Sequence, residues 1–165
     1  MIKGLHHNAY RCRDSEETRK FYEDFLGLRL AGTLEIRETK TGRKTDVLHT
    51  FYEMGDGSYL AFFEAPEMPF EFKNQHDFDL HIALEVDDAV LNEMFEKGKA
   101  RGIQTRGIVD HGFLKSIYFR DPNGYVIELT SPTSAHAREM DPEKNEARVK
   151  LDRWQAAKAN TPVDA

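Results

Sequence analysis

An α+β fold is predicted, with two tandem βαβββ modules forming a curved mixed sheet cup and a C-terminal helix behind them. Three observations carry this expectation: an internal repeat, a helix signal at the same place in each copy, and a strong turn before the last strand. The repeat comes first because it fixes the architecture. His7-Asn8-Ala9-Tyr10-Arg11-Cys12-Arg13-Asp14 aligns with His81-Ile82-Ala83-Leu84-Glu85-Val86-Asp87-Asp88, with His first, Ala two on and Asp seven on. Phe21 and Phe95 each lie 14 residues after their histidine, and Gly27 and Gly102 follow at 20 and 21. Ala65-Pro66 and Ser131-Pro132 close the two copies.

Residues 5–12 and 80–86 alternate as strands do. In the second, Ile82, Leu84 and Val86 share one face, and His81, Ala83 and Glu85 share the other. Asp14 is placed to cap a helix, with Glu17 at its third position as a variant capping box. Phe21, Tyr22, Phe25 and Leu26 form its apolar stripe, and Gly27 permits a left-handed stop. The second helix is capped by Asp87 or Asp88 and striped by Val90, Leu91, Met94 and Phe95. Further strands are expected near 29–36, 47–54 and 58–64, and near 103–108, 115–120 and 125–130. Asp121-Pro122-Asn123-Gly124 is the turn before the last of them.

The resulting organisation is a first module over 1–66, a linker over 67–79, a second module over 80–132 and a helical tail over 133–165. Arg37 to Asp46 reads as an extra polar loop, and the linker's three aromatic residues imply that it packs. In the tail, Ala135 to Ala159 reads as helix, with Val149, Leu151, Trp154 and Ala157 as buried contacts against a sheet edge or subunit seam. The last six residues read as disordered.

A net charge of -6 without basic clusters argues against a nucleic-acid partner. No apolar stretch has the length of a membrane span or a signal peptide. Cys12, the single cysteine, excludes an internal disulfide and fits a buried thiol. A reducing, cytoplasmic setting is expected.

Three runs resemble the vicinal-oxygen-chelate superfamily: Gly4-Leu5-His6-His7, Leu80-His81-Ile82-Ala83-Leu84-Glu85-Val86-Asp87-Asp88, and Tyr118-Phe119-Arg120-Asp121-Pro122-Asn123-Gly124-Tyr125-Val126-Ile127-Glu128-Leu129. That family includes glyoxalase I, methylmalonyl-CoA epimerase, fosfomycin-resistance proteins and extradiol dioxygenases, and the resemblance covers residues 3–132. It implies metal ligands on the first and last strands of each module, which here are His7, His81 and Glu128. The fourth-strand position, counted back from Pro66, is Phe62, and Glu64 reaches it only if that strand slips. His6 has the wrong parity for a ligand and is expected beside the site or at the surface.

Two imidazoles and a carboxylate suit Fe(II) or Mn(II), with Zn or Ni as further options, and leave room for two neighbouring substrate oxygens. Tyr118, ten residues before Glu128, matches an active-site tyrosine of the extradiol enzymes, and His111 with Gly112 loosely resembles their His-Gly element. Ser58 stands where those enzymes carry an acid–base histidine, with His49 and His76 as substitutes that no spacing singles out. Arg11 and Glu85, equivalent in the repeat, are candidates to pair or to bind a substrate carboxylate. The favoured expectation is a dioxygenase-type enzyme with a small-molecule substrate, working as a homodimer. A glyoxalase-like lyase or isomerase and a metal-free binding protein like the bleomycin-resistance proteins are the rivals.

Overall fold

The computed structural model describes residues 1–74 and 76–159, so the expectation of a disordered end lies outside the described residues. The elements are β1 (Tyr10–Arg11), α1 (Ser15–Arg19) continuing as a π-helical segment (Lys20–Phe25), β2 (Arg29–Glu38), β3 (Lys44–Glu53), β4 (Tyr59–Glu64), β5 (His81–Glu85), α2 (Asp88–Ala100), β6 (Thr105–Asp110), β7 (Leu114–Arg120), β8 (Val126–Pro132), α3 (His136–Glu139) and α4 (Ala147–Ala159). Two four-stranded sheets form, ordered β1-β4-β3-β2 and β5-β8-β7-β6. The same permutation in each is the α+β repeat that the sequence predicted. None of the described helices is long and apolar enough to cross a membrane.

Two compact units result: Met1–Ile82 with Phe119–Ile127, and Ala83–Tyr118 with Glu128–Ala165. In the first, Asp14 caps α1 through a 2.8 Å bond from the Glu17 amide, as its sequence position predicted. The helix then widens into the π form, and the Leu26 and Leu28 amides reach back to Phe21 and Tyr22. That register buries Phe21, Tyr22 and Phe25 together. Tyr22 lies 4.6 Å from the Phe62 ring, so the helix covers the face of β3–β4 that carries Tyr52, Leu60 and Phe62. His49, Phe51, Tyr59 and Phe63 alternate onto the opposite face.

Several expected boundaries shift for identifiable reasons. The first strand is two residues long rather than eight, with His7 as a lone parallel bridge to Tyr59. Between them the Asn8 side-chain oxygen, not a backbone carbonyl, accepts the Ala61 amide at 3.1 Å and interrupts the ladder. The expected polar loop is largely a hairpin: β2 runs to Glu38, β3 begins at Lys44, and Arg37 pairs with Glu35 and Asp46 across it. Gly42, at φ +79°, supplies the left-handed turn residue.

The tail also departs from expectation. It is broken by Asp141-Pro142 into α3 and α4, and Val149, Leu151, Trp154 and Ala157 are all exposed, Trp154 at 68%. Proline lacks the amide a continuous helix needs. Of the linker's three aromatic residues Phe70 is half-buried, while Phe72 and Phe78 are exposed, Phe78 at 89%. Among its attachments is a 2.9 Å bond from the Lys73 amide to the Asn123 carbonyl.

The turn at 121–124 is fastened by a buried carboxylate. Asp121 accepts the Asn123 and Tyr125 amides, each at 2.8 Å, and the Tyr22 hydroxyl at 2.9 Å. Asn123 takes the Arg13 amide at 2.8 Å, and the Tyr125 hydroxyl donates to the Arg11 carbonyl at 3.0 Å. Burial pushes the Asp121 carboxyl above its ordinary range, with the donated hydrogen bonds opposing it. Tyr22→Phe removes one donor to this carboxylate while keeping the ring. It is expected to lower stability by about 1.5–3 kcal/mol in urea unfolding.

Candidate metal and proton-transfer site

His7 stands on the open face of the first sheet, across from the helix. Its Nδ1 lies 2.8 Å from the Nδ1 of His6, so one imidazole donates to the other. Tyr59, Phe51 and His49 surround the pair, with the His7 and Phe51 ring centroids 5.5 Å apart. His49, which spacing alone did not single out, is 5% exposed and stacks on Phe63 at 3.7 Å. Its Nδ1–H donates to the Phe62 carbonyl at 3.0 Å. Recognising it from sequence required the β3–β4 register, which opposes His49 to Phe63.

His81 opens β5, on the more exposed face with Ala83 and Glu85, as the alternation predicted. Its Nδ1 lies 2.9 Å from the Asp77 carbonyl. A carbonyl only accepts, so Nδ1 carries the proton and Nε2 carries the lone pair. That is the tautomer in which ligating histidines are held by an outer partner.

Glu128 lies on β8 in the second unit, 7% exposed. Ser116 on β7 bonds Thr130 at 3.2 Å, and by the same strand alternation Tyr118 and Glu128 lie on that face. Ile117 and Phe119 alternate to the other face and are buried there, with Phe119 5.1 Å from Phe25. Glu128 is therefore turned away from the helix-covered side. His111 joins the group, its Nε2 2.9 Å from the Tyr118 hydroxyl. The Arg106 guanidinium lies over the Tyr118 ring at 4.6 Å. Burial, and next the Glu128 charge, push the Tyr118 phenol above its ordinary range.

The fourth-strand position needs correction. Cys12 donates its amide to Phe63, and Val86, five residues after His81 as Cys12 is after His7, donates to Thr130. These equivalent bonds match Thr130 with Phe63, and hence Glu128 with Ala61 rather than Phe62. Phe62 packs on Tyr22 under the helix. Glu64 faces the same way and accepts the Ser15 amide at 2.8 Å, so no strand slip brings it to His7.

Other candidates have structural partners. Arg11 donates to the Met68 and Ala65 carbonyls at 3.2 and 3.5 Å. Ser58 donates to Asp56 at 2.6 Å. The Cys12 thiol is buried, which pushes it up to about 11. His76 Nδ1 accepts the Phe78 amide at 3.1 Å.

Three of the five residues singled out from sequence, His111, Tyr118 and Glu128, thus come together in the second unit. His7 and His81 belong to the first unit. Among the described residues of one chain, no three His, Cys, Asp or Glu side chains gather closely enough to hold an ion. The donor chemistry fits a divalent metal even so: a buried carboxylate and an imidazole with Nδ1 committed are the types such ions select.

Residues 4–129 match the family model described as Glyoxalase/Bleomycin resistance protein/Dioxygenase superfamily. The chain belongs to this superfamily. Within it, the chain is 25% identical over 145 residues to metallothiol transferase FosB of Shouchella clausii, covering 82% of this chain and 84% of that protein. It is 29% identical over 138 residues to a lactoylglutathione lyase of Neisseria meningitidis, covering 79% and 91%. MhqA of Bacillus subtilis, which its name assigns to ring-cleaving dioxygenases, is 30% identical over 104 residues, covering 62% of this chain and 33% of MhqA. The fold matches that of the fosfomycin-resistance protein FosX from Listeria monocytogenes, solved with Mn(II) and sulfate, at a TM-score of 0.61 and 21% identity over 83% of this chain and 98% of that one.

In the metal-free protein the Tyr118 phenol is expected to ionise above the ordinary tyrosine range. Glu128→Gln should lower that value without restoring it, because burial remains the larger cause. Tyrosine-selective NMR titration of both proteins measures the difference.

Proposed function

We propose that the protein is a divalent-metal enzyme, its ion held by His7, His81 and Glu128, acting on a small substrate chelated through two neighbouring oxygens. Dioxygenase-type oxidation is the favoured reaction. The observation that carries it is the Tyr118 hydroxyl, in contact with His111 at 2.9 Å and on the same sheet face as the buried Glu128 carboxylate. A phenol and an imidazole in direct contact form a proton-transfer pair, and they stand beside a carboxylate of the proposed coordination set.

Fe(II) or Mn(II), with Zn or Ni as further options, would supply a Lewis acid that makes a bound hydroxyl more acidic. The chain's own residues do the rest. The Asp77 carbonyl keeps the His81 lone pair on Nε2. His6 can accept from His7 Nδ1 and leave that ring's Nε2 to ligate. Tyr118 hydrogen-bonds a substrate oxygen, and His111 takes or returns its proton. Catechols are expected to be consumed in air and not anaerobically, with Tyr118→Phe lowering kcat by about 10²–10⁴-fold. Equal turnover without oxygen contradicts the oxidative reaction.

A non-oxidative transfer or isomerisation at the same metal is the second reading. It is favoured by the FosB and lactoylglutathione lyase relatives, which match about four-fifths of this chain where MhqA matches 62%. Turnover of a hemithioacetal or epoxide in the anaerobic arm supports it. A carboxylate-for-carboxylate copy of the glyoxalase arrangement is disfavoured, since Ala61 holds the position equivalent to Glu128 and Glu64 caps a helix. About one equivalent of metal in protein purified without a chelating tag supports either enzyme over a metal-free binding protein.

We place the enzyme in a cytoplasmic setting, which the lone buried thiol suits, and in a homodimer. Complementation between variants reads whether His7 serves its own copy or another. Mixed His7→Ala and His81→Ala proteins, each inactive alone, regain activity through one intact site per heterodimer where the two imidazoles come from different copies. A mixture as inactive as its components places the two imidazoles in the same chain.

A further inference from the structure

The linker between the two repeats does more than connect them. It is clamped to the turn at 121–124 at several points in the first unit. The Lys73 amide bonds the Asn123 carbonyl at 2.9 Å. Gly124, at φ +92°, leaves no room for a side chain there, since a Cβ would sit 2.3 Å from the Lys73 carbonyl oxygen. Arg120, at the end of β7, spans the gap: Nη2 donates to Asp77 Oδ1 at 2.8 Å and Nη1 donates to the Gly124 carbonyl at 2.9 Å. Both members of the Arg120–Asp77 pair are largely withdrawn from solvent, at 22% and 23% exposure. The same Asp77 presents its backbone carbonyl to His81 Nδ1 at 2.9 Å.

We propose that Arg120 and Asp77 are positioning residues for His81, an outer support of the metal site. This rests on the metal reading above. A neutral imidazole in water favours the proton on Nε2, the atom that must be bare to ligate. The Asp77 carbonyl reverses that preference by accepting from Nδ1. The Asp77 carbonyl, outside the helices and strands, stays in place only if the backbone around it is pinned. The guanidinium fork does this, because its two nitrogens grip Asp77 and the turn at once. Lysine has one nitrogen and cannot reproduce a two-point hold. The Coulomb term alone is modest for a partly exposed pair, so the effect expected is on orientation rather than on folding.

The test uses full-length Arg120→Gln and Asp77→Asn, with Arg120→Lys as the conservative variant and His81→Ala as the loss-of-ligand reference. Nitrogen-15 NMR of the imidazoles in metal-free protein reads the His81 tautomer, and calorimetric titration with Mn(II) reads affinity. Wild type is expected to hold His81 protonated on Nδ1. Arg120→Gln and Asp77→Asn are expected to shift it toward the Nε2-protonated form and to weaken Mn(II) binding about 10–100-fold, with Arg120→Lys between. An unchanged tautomer in both folded variants overturns the proposal, as does a shifted tautomer with unchanged affinity where His81→Ala does weaken binding. If wild type and His81→Ala bind Mn(II) alike, the metal reading itself fails. The tautomer measurement still decides whether Arg120 and Asp77 hold the ring. Should Arg120→Gln fail to fold, Asp77→Ala gives the answer, since it keeps the backbone carbonyl and removes the side chain that Arg120 grips.

Discussion

The Asp121 carboxylate is the constraint on which the rest of the first unit depends. It gathers two amides of its own turn and the hydroxyl of Tyr22, 99 residues away in sequence, at one buried point. A buried carboxylate is costly unless it is fully bonded, so this turn and the first helix must form together. That joint requirement sets where β8 begins, and with it the parity that turns Glu128 away from the helices. It also fixes Gly124 and Asn123, against which the linker packs. The chain of dependence runs from one acid group through a hairpin to a linker carbonyl and finally to the imidazole of His81.

Each half of the molecule prepares donors differently. In the first sheet His7 is set among aromatic rings and paired with His6, while in the second Glu128 is buried beside a phenol and an imidazole. The duplication explains the shared geometry, and the departures from it carry the chemistry. Ala61 stands where Glu128 has its carboxylate, so the two halves are not interchangeable. One carboxylate and two imidazoles leave more of a metal's coordination sphere to substrate than a four-residue set would. This is the physical basis for proposing chelation through two substrate oxygens.

Much of this was legible in the sequence because it depends on period and repeat. The alternation around His81, the Asp14 cap and the 121–124 turn are local signals, and the structure shows each where its residues place it. Non-local partners were not legible. Nothing near Asn8 announces that its side chain replaces a ladder carbonyl, which shortens β1. Counting back from proline misplaced the fourth-strand position by one residue, and a one-residue error in a strand exchanges the faces. Apolar residues in the tail suggested burial, yet Trp154 is exposed, since composition states what a helix offers and not what meets it. His49 was invisible for the same reason: its surroundings come from a neighbouring strand.

The central claim is that two imidazoles and one carboxylate bind the same ion. Pulsed electron paramagnetic resonance of the Mn(II)-loaded protein tests it most directly, because coupling to ligating nitrogen counts the imidazoles at the metal. Two nitrogen couplings are expected in the wild type, with one lost in His7→Ala and the other in His81→Ala. A bound ion with no imidazole coupling, or with couplings that neither substitution changes, contradicts the account.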